Sequence, residues 1–317
     1  MEKYYEFLEK FREHFDFDSY SLIDAGYSFE KKFLLRRINK CNLLLRLKKI
    51  EDKSQILIKE REFEVLSKLR DFSEKIPMTH TCGYDEDFSL FYSVLDYIEG
   101  EDAESTLKNY SEDVQYRIGY EAGIELKKMH MMESPEEYND WYGLKKRKYE
   151  LYSQRFRELN LNIDFLNINR VMEYVDKNMF IMKDINPKFQ HDDFHPGNII
   201  ISDGEYKAAI DFNRYDWGDP IHDFYKVALL SRNVSIPFSV GQINGYTKGS
   251  PDEEFWKRYA LYNAMIIIPD TVWSYNYAMK TGDMGQIECS KKRLSVMYED
   301  HEQFETDIPA WYHNHNK

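Results

Sequence analysis

The chain has 317 residues, 42 % apolar and 16 % aromatic, enough to build a core in each of two lobes. Its net charge of −13 argues against the basic face that sequence-independent nucleic-acid binding requires. No apolar run approaches the ~20 residues that span a bilayer, so no membrane partner is expected. Cys41, Cys82 and Cys289 are scattered and odd in number, which fits reduced thiols in the cytoplasm and no CxxC metal site.

The N-terminal stretch MEKYYEFLEKFREHF is too charged for a signal peptide and reads as an amphipathic helix, with Tyr4, Leu8, Phe11 and Phe15 on one stripe. KKFLLRRI (31–38) and NLLLRLKK (42–49) flank a turn at Asn39 and Lys40, the pattern of an antiparallel hairpin. A helix follows over 56–70, and SLFYSVLDYIEG (89–100) reads as an apolar strand that leaves the first lobe. Helices then dominate. Ser111 is the expected N-cap of a helix with Val114, Ile118, Ala122, Leu126 and Met129 along its core stripe. Residues 145–160 and 165–183 also read as helical. Two short strands, 198–202 and 206–212, surround a turn at 202–205, and helices return at 219–232, 252–268 and 287–304. The expected class is α+β, with a small β-rich lobe (1–96), a larger helical lobe (97–317) and a ligand cleft between them.

Chemistry concentrates in QHDDFHPGNIII (190–201). Zinc is one reading, because His191, Asp193 and His195 would share a face if extended, but Pro196-Gly197 breaks any strand there. The pairs His191-Asp192 and His222-Asp223 resemble metal-dependent phosphohydrolase sites, and a purely structural Asp/Asn turn is also open. A phosphoryl-transfer site explains more. His191-x-Asp193-x4-Asn198 precedes a hairpin that ends at Asp211. Transfer to a hydroxyl needs a carboxylate for the attacking group, plus an amide oxygen and a second carboxylate to hold Mg²⁺ against nucleotide phosphates.

HDDFHPGNIII with IDFNRYDWGDPIHDF resembles the catalytic core of the aminoglycoside phosphotransferase family, small-molecule kinases related to the eukaryotic protein kinases. The resemblance spans roughly residues 20–230 and is strongest over 190–223. It implies a protein-kinase-like fold and γ-phosphate transfer from ATP or GTP. It also implies Asp193 as catalytic base, His191 as its structural orienter, and Asn198 and Asp211 as magnesium ligands. The family usually has glycine where Asp192 stands, and Asn213 replaces a kinase-like glycine. In the N-lobe, Arg46 stands at the position of the phosphate-binding lysine, with Lys48 the alternative; its acidic partner would be Glu62, with Glu60 as fallback. Gly26 and Ser28 would lie in the nucleotide loop, and the backbone of Asp96, Tyr97 and Ile98 would meet the purine.

The C-terminal ninety residues interleave acids with aromatics, including Glu254, Asp270 and Trp273. That mixture suits a small cationic acceptor through charge pairing and cation–π contact. An aminoglycoside-type antibiotic is the leading candidate, ahead of a macrolide, aminoalcohol or sugar. A nucleotide-binding regulator without catalysis is the alternative of a different class, against which Asp193, Asn198 and Asp211 all stand intact.

Overall fold

A computed structural model describes residues 1–24 and 30–315. The chain forms two compact units, Met1–Gly100 with Lys207–Asn213, and Glu101–Tyr206 with the chain from Arg214 onward. The N-terminal stretch of the first unit ends at Gly100, and Lys207–Asn213, which includes the last three residues of the hairpin's second strand, is grouped with it.

The first unit opens with helix α1 (Glu2–Arg12) and strands β1 (Ser19–Ile23), β2 (Lys31–Arg36) and β3 (Leu43–Lys49). Helix α2 (Ser54–Leu69) and strands β4 (Thr79–Asp85) and β5 (Leu90–Asp96) follow. The strands make one antiparallel sheet in the order β1-β2-β3-β5-β4. Asn39, at φ 58, turns the chain between β2 and β3, a backbone region in which Asn is among the tolerated residues. Alternation then sorts the two faces of β3. Leu43, Leu45 and Leu47 are buried with Phe33, Leu35 and Val94 in a core that α1 closes with Phe7, Leu8 and Phe11. Leu44, Arg46 and Lys48 take the opposite face, where the antiparallel register sets Lys32 directly across from Arg46.

The second unit begins with β6 (Glu101–Asp102), α3 (Ala103–Thr106) and α4 (Glu112–Met129), then α5 (Trp141–Glu158) and α6 (Ile168–Asn178). Strands β7 (Lys188–Gln190), β8 (Ile199–Ser202), β9 (Glu205–Ala209) and β10 (Asp216–Gly218) surround the motif region. β7 pairs antiparallel with β10, and β6, β8 and β9 form a small sheet in that order. The chain finishes with α7 (Arg232–Val234), α8 (Ile236–Thr247), α9 (Glu253–Thr281), α10 (Gly285–Asp300) and α11 (Ala310–His315). Among the described residues no helix is long and apolar enough to cross a membrane.

Helix α4 packs on α8 through glycines. A Cβ on Gly119 would collide with the carbonyl of Phe238, and one on Gly245 with the carbonyl of Tyr120. Three expected helices differ in detail. The segment 219–232 is not one α-helix. Pro220–Phe224 is a 3₁₀ turn capped by Asp219, whose carboxylate accepts from the Ile221 N–H at 2.9 Å, and Val227–Ser231 is a π-turn. Helix α9 starts with Asp252 as its cap, whose carboxylate accepts from the Phe255 N–H at 2.7 Å. It also runs through Pro269 to Thr281 instead of stopping at 268, because burial on several sides outweighs the proline penalty. Ser111 caps α4 by position only, with no side-chain bond to the helix.

Candidate active site

Each unit carries part of the expected chemistry. In the second unit, the loop 191–198 is tied down by Asp223, whose fully buried carboxylate accepts the backbone N–H groups of His191 and Asp192, both at 2.8 Å. His130 Nε2 lies 3.0 Å from the same carboxylate. His191 itself is buried and packs edge-on against Phe194, with ring centroids 5.6 Å apart. The loop is therefore rigid on its inner side and presents Asp193 and Asn198 from a fixed backbone. Asn198 Nδ2 donates to the carbonyl of Asp193 at 2.9 Å, so the amide nitrogen is the end tied to the loop backbone.

Asp193 sits among basic side chains. Its Oδ1 accepts from Lys226 Nζ at 2.6 Å, with His195 Nε2 at 3.7 Å and Arg214 Nη1 at 3.8 Å. Burial pushes this carboxyl up, but Lys226 overcomes the effect and holds it at about 2. Asp193 is thus an ionised carboxylate at neutral pH. Its neighbour Asp192 behaves oppositely. At φ 55 it adopts the left-handed backbone that makes glycine usual at this position. Burial raises its carboxyl to about 6, with Lys145 only partly opposing.

Asp192, His222 and Asp223 offer ligand atoms within 4.8 Å of one another, so the two His-Asp pairs do converge. Lys145 Nζ, however, lies 2.5 Å from His222 Nε2, and burial brings that amine down to about 8. A lysine on the histidine and two backbone N–H groups on Asp223 serve the loop rather than a metal-dependent hydrolase.

In the first unit, Asp211 follows β9 at φ 65, a strained position for a non-glycine residue of the kind found at functional sites. Its Oδ1 accepts from Asn213 Nδ2 at 2.6 Å, and Lys32 Nζ stands 3.8 Å from Oδ2. A pocket is lined by Arg46, Glu62, Phe63, Leu66, Phe212 and neighbours. Arg46 does not pair with Glu62 as expected. Its Nε and Nη2 donate to Glu30 Oε2 at 2.8 and 2.5 Å, and Nη2 also donates to Asn213 Oδ1. Lys59, from α2, takes the place between the acids, 2.7 Å from Glu30 and 2.5 Å from Glu62. Burial raises the Glu30 carboxyl, but Arg46 and Lys59 bring it down to about 2. Lys48 lines the same pocket.

At the expected hinge, the N–H of Asp96 is used by the carbonyl of Met78 at 2.8 Å and that of Tyr97 by Asn42 at 3.0 Å. Asp96 also holds His80 Nε2 at 2.7 Å. The N–H groups of Asp96 and Tyr97, two of the three residues expected at the purine, are thus committed within the protein. Gly26 and Ser28 lie outside the described residues.

The expected acceptor residues are not brought together. Glu254 and Asp270 are sixteen residues apart on α9, about 24 Å at 1.5 Å per residue. Asp270 is buried and committed, accepting from Arg293 Nη2 and Ser290 Oγ, each at 2.5 Å. Glu254 is exposed, with Arg258 at 3.8 Å, and Trp273 is exposed and stacks on Tyr277 at 5.3 Å.

For magnesium, the test is the donor set. The Asn198 amide oxygen and the Asp211 carboxylate are hard oxygen donors, and nothing softer is needed. They fit the ion. Lys226, Lys145 and Lys32 escaped the sequence reading. Only Lys226 left a signal, two residues beyond the buried Asp223-Phe224 step.

A five-stranded sheet with its helix, a mainly helical second unit, and the H-x-D-x4-N loop with its following Asp define a protein-kinase-like phosphotransferase. Residues 19–261 match the model of the phosphotransferase enzyme family (APH), and the chain belongs to that family. It is accordingly a kinase-type enzyme acting on small molecules. No curated protein sequence matches the chain.

Solved structures share its fold at low identity. The gentamicin complex of APH(2")-IIa superposes with a TM-score of 0.62 at 18 % identity, covering 92 % of this chain and 97 % of the other. A thermostable mutant of APH(4)-Ia, in a ternary complex with AMP-PNP and hygromycin B, gives 0.66 at 13 %, with the same coverage. Macrolide 2'-phosphotransferase MphH from Brachybacterium faecium gives 0.61 at 13 %, covering 91 % and 97 %.

Proposed function

We propose that the protein transfers the γ-phosphate of ATP or GTP to a hydroxyl of a small cationic molecule, with an aminoglycoside-type antibiotic as the first acceptor to test. The observation that carries this reading is Asp193, an ionised carboxylate on a loop whose backbone is anchored by Asp223. Asp193 accepts the hydrogen bond of the attacking hydroxyl and orients its lone pair. The hydroxyl oxygen bonds to the γ-phosphorus as the bridging oxygen–phosphorus bond breaks, and the electron pair leaves on the nucleoside diphosphate. A carboxylate held near 2 is a weak base, so the proton passes to Asp193 late, as a loose phosphoryl-transfer transition state allows. Asn198 and Asp211 would hold Mg²⁺, whose chemistry is to neutralise charge on the phosphate oxygens.

Support for a cationic acceptor comes from the net charge of −13 and from the aminoglycosides bound by structural neighbours. Antibiotic resistance and a cytoplasmic site of action, where nucleoside triphosphates are supplied, follow from this reading and belong to the proposal. The test is transfer of labelled phosphate from ATP and from GTP to aminoglycosides, a macrolide, an aminoalcohol and a sugar. Transfer to an aminoglycoside, with a Michaelis constant that rises with salt, is the expected result. Nucleotide binding without transfer to any acceptor would favour the non-catalytic regulator.

A further inference from the structure

On the face of the N-terminal sheet opposite its core, antiparallel register places Ile23, Lys32, Arg46 and Ser93 in one row across β1, β2, β3 and β5. Two cations, Lys32 and Arg46, are therefore immediate cross-strand neighbours. Their surroundings differ. Arg46 is consumed by the protein, with two of its nitrogens on Glu30 and one shared with Asn213. Glu30 is in turn bridged by Lys59 to Glu62, so moving Arg46 toward a ligand would leave a buried carboxylate short of one cation. Among the described residues Lys32 carries no such commitment. Its acidic partner is Asp211, at 3.8 Å, beyond hydrogen-bond distance.

We propose that Lys32 on β2, rather than Arg46 on β3, supplies the cation that binds the phosphates of the nucleotide. The inference rests on the kinase reading, because it takes Asp211 as the residue beside the nucleotide's phosphates. An ammonium within 4 Å of that carboxylate stands where phosphate oxygens and their counter-ion would gather. A lysine is also the better fit to that task, as a compact point charge on a flexible stem. Arg46, a planar fork, instead suits the two-toothed grip on Glu30. The phosphate-binding charge has thus moved one strand across the sheet while keeping its place in the row.

The test is calorimetric titration of the full chain with Mg²⁺ and nucleoside, diphosphate and triphosphate, in the adenosine and guanosine series. Lys32→Ala and Lys32→Gln are expected to weaken di- and triphosphate binding by at least ~10-fold, the scale of one charge-assisted contact. Both should leave the bare nucleoside unaffected, which a residue of merely structural importance would not do. Arg46→Lys should keep triphosphate affinity within ~3-fold while lowering the unfolding temperature. Unchanged triphosphate affinity in both Lys32 variants, or an equal loss for nucleoside and triphosphate, overturns the assignment and leaves the kinase reading standing. Failure of the unaltered protein to bind either nucleotide overturns both.

Discussion

Lys226 Nζ lies 2.6 Å from Oδ1 of Asp193, and both side chains are largely shielded from solvent. The pair fixes the carboxylate in its ionised form. Because the folded value lies below the ordinary ~3.9 of an aspartate, the ion pair adds stability above that value, and the contribution is lost as pH falls toward about 2. With Lys226→Met, burial acts on Asp193 with less opposition and its value rises. The kcat/KM profile should then gain an acid limb above pH ~4 that the unaltered enzyme lacks. Superimposable profiles for the two proteins would show that Lys226 does not tune this carboxylate.

Asp211 is expected to be the charged ligand of the metal. Asp211→Ala should abolish the magnesium-dependent part of nucleotide affinity, since a hard cation loses an anionic oxygen. Titrations with and without Mg²⁺ read this directly. An unchanged difference between them would reduce Asp211 to the acceptor of Asn213 and the neighbour of Lys32.

Asp270 belongs to the scaffold of the second unit. Its pair with Arg293 joins α9 to α10 in a buried setting. Removing one partner from such a pair costs about 3–5 kcal/mol, so Asp270→Ala should lower the unfolding temperature sharply. The acceptor's Michaelis constant, measured on the folded fraction, should stay where it was. A raised constant with unaltered stability would return Asp270 to the acceptor site.

The glycine contact between α4 and α8 makes a similar stability claim. Gly119→Ala places a methyl group against the Phe238 carbonyl, and the two helices must separate to admit it. Overpacking of this kind costs about 1–3 kcal/mol. Denaturant unfolding should show that loss, although alanine is the better helix former; a stabilised variant would mean that the helices are free to move apart.

Local patterns made much of this legible from sequence. Strand alternation in β3, the turn at Asn39, and the compact run from His191 to Asn198 all depend on residues close in the chain. What escaped depends on distant partners. Lys226 reaches Asp193 from beyond β10, and Lys32 meets Asp211 from the first sheet. In the sequence Asp270 reads as a carboxylate for a cationic acceptor, whereas Arg293 from the next helix holds it. The segment 219–232 carries a helix-like pattern, but Asp219 caps a tight turn and Asp223 bonds the motif loop, so its backbone follows those bonds instead. Pro269 marked an end to α9 that burial overrode.

The central claim is that Asp193 handles the proton of the attacking hydroxyl. The direct measurement is turnover of Asp193→Asn beside its nucleotide affinity, with the acceptor that the unaltered enzyme phosphorylates best. Loss of a general base predicts a fall in kcat of at least ~100-fold, with the Mg²⁺–nucleotide dissociation constant essentially unchanged. Turnover close to that of the unaltered enzyme would contradict the account.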